Sequence, residues 1–136
     1  MRNNKPTILI VDDEPIIISV IGDLLSKIYD VVVATSGEKA LDFLSKNHFV
    51  DLILLDINMP NMNGYEVADK INSSDHSNAV PFIFLTAQYK KEDIIKGFQH
   101  GAVDYISKPF NHKELYARVA THTKLHILQS TLNQSL

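Results

Sequence analysis

Polar side chains that could bind a metal ion or react with an electrophile directly follow four short apolar segments of the sequence. They are Asp12-Asp13-Glu14, Asp56, Thr86 and Ser107-Lys108-Pro109. In an open α/β sheet the ligand site lies beyond the carboxyl ends of the strands. If the four segments are strands of such a sheet, the carboxylates of Asp12, Asp13 and Asp56 converge on one edge with a hydroxyl and an ammonium.

The carboxylates of Asp12, Asp13 and Asp56 would repel one another at short range unless a cation compensated them. Mg²⁺ takes one or two carboxylates, keeps several waters and leaves positions for phosphate oxygens. A carboxylate beside Mg²⁺ and a lysine is a competent nucleophile toward phosphorus, and its product is an aspartyl phosphate. Phosphoryl transfer needs mainly in-line positioning and charge neutralisation, and Mg²⁺ and Lys108 can supply the neutralisation. Ordinary strand-end acids or helix caps are the alternative interpretation.

Five apolar runs alternate with helical patterns, at the roughly 20–25-residue spacing typical of βα units. The runs are Ile8–Val11, Val31–Val33, Leu52–Leu55, Phe82–Leu85 and Val103–Ile106. The first four are continuous, as in parallel strands that bury both faces. The alternation predicts one α/β domain with a parallel sheet and helices on both faces.

The polar residues between the runs predict where helices begin and end. Ser36 is a predicted N-cap, Gly101 a predicted left-handed C-terminus, and Asn111-His-Lys-Glu114 resembles a capping box before the final helix. That helix continues to Leu136 without Pro or Gly, and three of its leucines have heptad spacing: Leu125, Leu128 and Leu132. Two interpretations stay open for this extension, a solvated tail or a signalling helix that pairs with a second copy or leads into a further domain.

Composition narrows the class of protein. The chain has 136 residues, which fits one domain, and its formal net charge is -3, which argues against a nucleic-acid-binding role. There is no cysteine, which excludes disulfides and thiolate sites. We see no signal peptide or bilayer-spanning segment, so we expect a cytoplasmic protein without membrane contact.

His122 and His126 are four residues apart and could share a zinc ion, but no third ligand is evident.

Four motifs in fixed order resemble the receiver domain of response regulators. They are Ile10-Val-Asp-Asp-Glu14, Leu55-Asp-Ile-Asn-Met-Pro60 with Asn63-Gly64, Leu85-Thr-Ala87, and Tyr105-Ile-Ser-Lys-Pro-Phe110. The resemblance covers residues 7–122. It implies a doubly wound, flavodoxin-like sheet of order 2-1-3-4-5, a receiver domain over 1–122, and a C-terminal helical extension over 123–136.

The resemblance also implies a role for each site residue. Asp56 would accept a phosphoryl group from a sensor histidine kinase or phosphotransfer protein. Asp13 would bind Mg²⁺ (or Mn²⁺) directly, Asp12 mostly through water, and Asn58 through its backbone carbonyl, with Asp56 completing the protein ligands. Lys108 would contact the phosphoryl oxygens, and its peptide bond to Pro109 is expected to be cis.

The same resemblance predicts a switch. Thr86 would hydrogen-bond a phosphoryl oxygen, and Tyr105 would rotate inward as Thr86 moves. This rotation would reshape the face formed by the fourth helix, fifth strand and fifth helix, where a homodimer could form, as it could through the C-terminal helix. Residues Ile57, Asn58 and Gln88 would line the approach to the site and influence the phosphoryl lifetime.

Four functions compete. The favoured one is a regulatory phosphoacceptor that is not an enzyme toward other molecules and is part of a larger hybrid or multidomain protein, with a stand-alone regulator as the alternative. An aspartyl-phosphate phosphohydrolase usually carries an acid two residues after its nucleophile, where this chain has Asn58. A degenerate docking receiver would lack one of the acids or the lysine. A flavin or nucleotide binder would need a glycine-rich phosphate cradle, which is not evident.

Overall fold

The computed structural model describes residues 5–46, 49–73, 80–87 and 90–135. In these residues five strands alternate with five helices. In chain order they are β1 (Thr7–Val11), α1 (Pro15–Leu25), β2 (Asp30–Ala34), α2 (Gly37–Ser45), β3 (Leu52–Asp56), α3 (Gly64–Ser73), β4 (Phe82–Thr86), α4 (Lys91–Gln99), β5 (Asp104–Ser107) and α5 (His112–Ser135). All strand pairs are parallel, and the order is β2-β1-β3-β4-β5. The predicted flavodoxin-like fold is confirmed.

Helices cover both faces of the sheet because successive strand residues point to opposite sides. On β1, Leu9 packs into a core with α2 and α3, whereas Ile8 and Ile10 pack into a second core with α1 and α5. The phenolic oxygen of Tyr116 donates to the Leu24 carbonyl at 2.8 Å and ties α5 to α1. Two buried layers explain why β1, β3 and β4 are continuous apolar runs.

The edge strand β2 departs from that pattern. Its three valines form a continuous apolar run, yet Val33 is 41% exposed and Val31 and Val32 are only partly buried. An edge strand has a neighbour on one side only, so helices cover it incompletely. High β-propensity of valine, rather than burial of both faces, therefore accounts for this run.

The predicted helix ends are largely confirmed. Ser36 Oγ accepts the Lys39 amide, and Gly101 has φ +95°. Asn111 Oδ1 accepts two amides of the first turn of α5, but Glu114 pairs with Arg118. A reciprocal box at α3, in which the Asn63 and Glu66 side chains each accept the other's amide, is not among the predicted caps.

The last helix, α5, is 24 residues long. Thr123 and His126 on its inner face are buried, whereas Leu125, Leu128 and Leu132 are 48%, 60% and 64% exposed. The inner face therefore still packs against the domain beyond residue 122, while the leucine stripe faces outward. Among the described helices, none has both the length and the apolar character required to cross a lipid bilayer.

Candidate functional site

Acidic side chains from two strand ends meet at the carboxyl edge of the sheet. Carboxylate oxygens of Asp12, Asp13, Glu14 and Asp56 all lie within 4.8 Å of one another. Asp12 is fully buried and Asp56 is 2% exposed, whereas Asp13 and Glu14 are exposed. The acids after β1 and β3 come together because these strands are paired neighbours in the sheet. The structure thus brings the three predicted carboxylates together and adds a fourth, Glu14.

The ammonium of Lys108 lies among these acids. Its Nζ is 3.1 Å from Asp12 Oδ2, 3.2 Å from Glu14 Oε1 and 3.2 Å from Asp56 Oδ1. The backbone N–H of Lys108 donates to the Thr86 carbonyl at 2.7 Å and continues the pairing of β5 with β4. The Lys108–Pro109 bond is cis, as predicted. Lys108 therefore reaches the acids from the neighbouring end of the β4–β5 pair.

The electrostatics of the site hold the pKa of Asp56 above its ordinary value when no metal is present. Burial and the nearby charge of Asp12 raise the pKa of Asp56 to about 6, and Lys108 offsets part of this shift. For Lys108, burial lowers the pKa, but hydrogen bonds and charges of the surrounding acids outweigh it, so the net pKa is raised. One ammonium thus compensates the clustered acids only in part.

One oxygen of Asp56 has no hydrogen bond. Oδ1 accepts from Lys108 and, at 3.3 Å, from the Asn58 amide, but the buried Oδ2 has no partner among the described residues. A buried acceptor without a donor is costly. The cluster offers only oxygen donors and excess negative charge, which is the donor set that Mg²⁺ prefers. The residues present therefore fit a hard divalent cation.

Thr86 and Tyr105, the predicted switch pair, line one pocket between β4, α4 and β5. The cavity volume is about 10 Å³. Thr86 is buried, and Tyr105 is partly buried. The Tyr105 ring packs edge-to-face on Phe98 with centroids 6.2 Å apart, and the Arg118 guanidinium lies 5.5 Å from its centroid. The pocket therefore lies between the end of β4 and the residues of α4 and β5.

Gly64 permits a close approach behind the site. Its amide donates to the Ile57 carbonyl at 2.8 Å, and a Cβ added there would lie 2.4 Å from the Asp56 carbonyl oxygen. We expect Gly64→Ala to reduce the free energy of unfolding by about 1–3 kcal/mol, because backbone atoms must move. Chemical denaturation would measure this loss.

Gly22 provides the matched control for that substitution. An added Cβ at Gly22 would meet nothing within 4 Å, so Gly22→Ala should stabilise α1 by about 0.5–1 kcal/mol. If both glycine variants gained stability, the predicted close approach of Gly64 to the Asp56 backbone would be wrong.

The two histidines of α5, considered above as possible zinc ligands, have different surroundings. His122 Nε2 lies 3.0 Å from Asp104 Oδ2, and Arg118 contacts the other oxygen of Asp104. His126 is buried. In the part of the chain that the structure describes, the only cluster of three or more possible ligands is the acidic one at Asp56, and it contains no histidine. Gln88 lies outside the described residues.

Known proteins resemble this chain in sequence and in fold. Residues 8–120 match the response regulator receiver domain family. Transcriptional regulatory protein YvrH of Bacillus subtilis is 43% identical over 120 residues, covering 87% of this chain and 49% of YvrH. Hybrid signal transduction histidine kinase D of Dictyostelium discoideum is 35% identical over 134 residues, covering 98% of this chain and 9% of the kinase. The chain thus spans less than half the length of these curated relatives.

Solved structures agree with the sequence comparison. The receiver domain of Francisella response regulator 1452 superimposes with a TM-score of 0.80 at 32% identity, covering 88% of this chain and 98% of that domain. The signal receiver domain of an HD domain-containing protein from Pseudomonas fluorescens gives a TM-score of 0.85 at 25% identity, covering 96% of each chain. The matched motifs, the strand order and the acidic edge lead to one conclusion: this chain belongs to the response-regulator receiver domain family.

Proposed function

We propose that this chain is a signalling switch in which Asp56 accepts a phosphoryl group from the phosphohistidine of a sensor histidine kinase or a phosphotransfer protein. Receiver domains interact with such partners. The observation that carries the proposal is the buried carboxylate of Asp56, which touches Lys108 through one oxygen and has no hydrogen bond at the other. That environment suits a nucleophile whose product needs charge neutralisation.

The residues of this chain have separable roles in the transfer. The Asp56 oxygen without a hydrogen bond is left to attack phosphorus, so an O–P bond forms as the N–P bond of phosphohistidine breaks. The electron pair of that bond leaves with the imidazole. Lys108 donates to an oxygen of the transferred group and neutralises part of its charge. The Asn58 amide, 3.3 Å from Asp56 Oδ1, orients the carboxylate.

The acidic cluster supports metal binding as part of the same proposal. Asp13 directly, Asp12 mostly through water, Asp56, and the backbone carbonyl of Asn58 would hold Mg²⁺ (or Mn²⁺). When bound, the cation neutralises negative charge on the phosphoryl group. The support is the crowding of four carboxylates within 4.8 Å of one another, with only Lys108 in salt-bridge contact with them among the described residues.

The response to phosphorylation would run through Thr86 and Tyr105. We propose that the Thr86 hydroxyl bonds a phosphoryl oxygen and that the Tyr105 ring then rotates inward toward Thr86, which requires the small pocket both residues line to widen. Such a turn would remove the ring from its contacts with Phe98 and Arg118. The surface of α4, β5 and α5 would therefore change shape.

A homodimer could use that surface or the C-terminal extension. Ile95, Phe98 and Val103 are exposed apolar side chains on and beside α4. The second candidate surface is the exposed leucine stripe of α5, whose heptad spacing suits pairing with a second copy. The formal net charge of -3 argues against a nucleic-acid interface, and we propose none.

The chain is proposed to act within a larger hybrid or multidomain signalling protein of the cytoplasm, because its relatives are much longer. The alternative is a stand-alone regulator. A relative from Vibrio cholerae, 46% identical over 116 residues, is named as a probable cyclic di-GMP phosphodiesterase, but the chain covers 26% of it. We propose no enzymatic activity on other molecules, and Asn58 disfavours the phosphohydrolase alternative.

Intact mass spectrometry would test the proposal. Incubation with acetyl phosphate and Mg²⁺ should add the mass of one phosphoryl group per chain, and Asp56→Ala should abolish the addition. Asp23→Asn, which removes an exposed acid of α1, is the control and should still be modified. A phosphoryl adduct on Asp56→Ala would count decisively against Asp56 as the acceptor. The absence of an adduct on the wild-type sequence with every phosphodonor tried would count against it equally.

A further inference from the structure

Glu14 occupies an unusual position for an acid at a helix start. It is the N-cap of α1, but its side chain makes no capping hydrogen bond. Its carboxylate instead lies 3.2 Å from the Nζ of Lys108, a residue 94 positions away in sequence. Its backbone groups bond locally: the N–H donates to Asp12 Oδ1 at 2.9 Å, and the carbonyl accepts the Ile18 amide at 3.1 Å. The side chain is therefore committed to Lys108 rather than to its own helix.

The contact matters because every N–H donor of the Lys108 ammonium is already in a hydrogen bond. An ammonium carries three N–H donors. Asp12, Glu14 and Asp56 each accept one at 3.1–3.2 Å. To bond an oxygen of an incoming phosphoryl group, Lys108 must give up one of these contacts.

The three contacts differ in how readily they can be released. Asp12 is fully buried and its other oxygen accepts the Glu14 amide, so its position is fixed. Asp56 is the residue that carries the new group. The side chain of Glu14 is 58% exposed, so water can replace Lys108 as its partner at little cost. Glu14 is therefore the contact that opens first.

We propose that Glu14 is a positioning residue that tethers the Lys108 ammonium in the resting state and so restrains phosphorylation of Asp56. The observed rate would scale with the fraction of molecules in which this contact is open. The inference rests on the proposed phosphoacceptor function and adds a determinant of its rate. Glu14 touches neither the reacting carboxylate nor phosphorus in this scheme, and it acts only through Lys108.

Three variants separate a tether at Lys108 from a general effect of removing negative charge. Glu14→Gln removes the charge at constant size, Glu14→Asp keeps the charge but shortens the side chain, and Asp23→Asn removes an exposed charge elsewhere on α1. With acetyl phosphate at fixed Mg²⁺, Glu14→Gln should accelerate adduct formation about two- to fivefold, as expected for loss of an ion pair with one exposed member. Glu14→Asp should give at least half that acceleration, and Asp23→Asn none.

A second readout needs neither metal nor phosphodonor. In the metal-free protein, ¹⁵N NMR of the Lys108 ammonium reports its order and its hydrogen exchange. Both Glu14 variants should lower the order and speed the exchange, while Asp23→Asn leaves them unchanged. Raising the salt concentration should shrink the difference between the wild-type sequence and Glu14→Gln, because salt reaches the exposed Glu14 carboxylate and screens its charge.

The outcomes are distinguishable. An unchanged or slower rate in Glu14→Gln would overturn the tether while leaving Asp56 as the acceptor. A fast Glu14→Gln with an unaltered Glu14→Asp would assign the effect to repulsion of the anionic donor instead. A more than tenfold loss of Mg²⁺ affinity in Glu14→Gln would make Glu14 a metal ligand and also refute the proposal. If the unmodified sequence forms no adduct, the proposed function fails, and the metal-free spectra still decide whether the tether exists.

Discussion

Replacing Lys108 by methionine is expected to lower the free energy of unfolding of the metal-free protein by about 3–5 kcal/mol at pH 8. The ammonium lies 3.1–3.2 Å from the buried carboxylates of Asp12 and Asp56. Methionine fills similar space but leaves both acids uncompensated in a medium that screens them poorly. Because the folded-state pKa of Lys108 is raised above its ordinary value of 10.5, its stabilising contribution is fully present at pH 8 and is lost only as pH rises through the folded pKa.

The loss should be smaller at pH 5, where protonation of Asp56 removes one of the repelling charges. Mg²⁺ should restore part of the stability because a bound cation neutralises the same acids. Urea titrations in EDTA and in Mg²⁺ at both pH values would measure these effects. Lys124→Met, at an exposed position of α5, is the control and should change stability by less than about 0.5 kcal/mol. A cost below about 1 kcal/mol for Lys108→Met at pH 8 would mean that the ammonium does not hold these acids together.

Asp56→Asn should have the opposite effect and stabilise the metal-free protein by about 2–3 kcal/mol at pH 8. Burial first, and the charge of Asp12 second, raise the folded-state pKa of Asp56 from 3.8 to about 6. The folded protein therefore binds this proton more tightly than the unfolded chain does. Stability accordingly falls as pH rises between about 4 and about 6, and the full penalty remains above that window. Asparagine has nearly the same shape and no ionisation, so the penalty disappears.

Unfolding free energies in EDTA at pH 4, 6 and 8 would test this sign. The difference between Asp56→Asn and the unmodified sequence should be smallest at pH 4 and largest at pH 8. In the same experiments Asp23→Asn controls for the change in net charge, since Asp23 is exposed. A difference that stays constant across the three pH values would show that ionisation of Asp56 is not its source.

The central strands were predictable because their sequence pattern and their burial have the same cause. Every residue of β3 and β4 is buried, as continuous apolar runs at the centre of a parallel sheet should be. For β2 the pattern was ambiguous, since a run of valines fits an edge strand as well as a central one. Local capping at Ser36 and the turn at Gly101 were readable because each depends on neighbours within a few residues.

For the candidate site, the sequence predicts which residues come together but not all of the contacts between them. Once the strands are aligned, Asp12, Asp56 and Lys108 must share one edge, and the structure brings them together. The contact between Glu14 and Lys108 was not predictable, because it joins residues 94 positions apart through an exposed side chain with several possible orientations. The small pocket beside Tyr105 likewise depends on how α4 packs on the sheet, which no short sequence pattern encodes.

The length of α5 has a mechanical consequence. A straight helix of 24 residues measures about 36 Å, roughly twice the length of a five-residue strand. It begins five residues after Ser107, the last residue of β5, and is bonded to α1 through Tyr116 near its base. If the helix tilted as a rigid rod about its first turns by about ten degrees, its far end would move through about 6 Å. Motions too small to reorganise the sheet would thus become displacements large enough to join or separate neighbouring molecules.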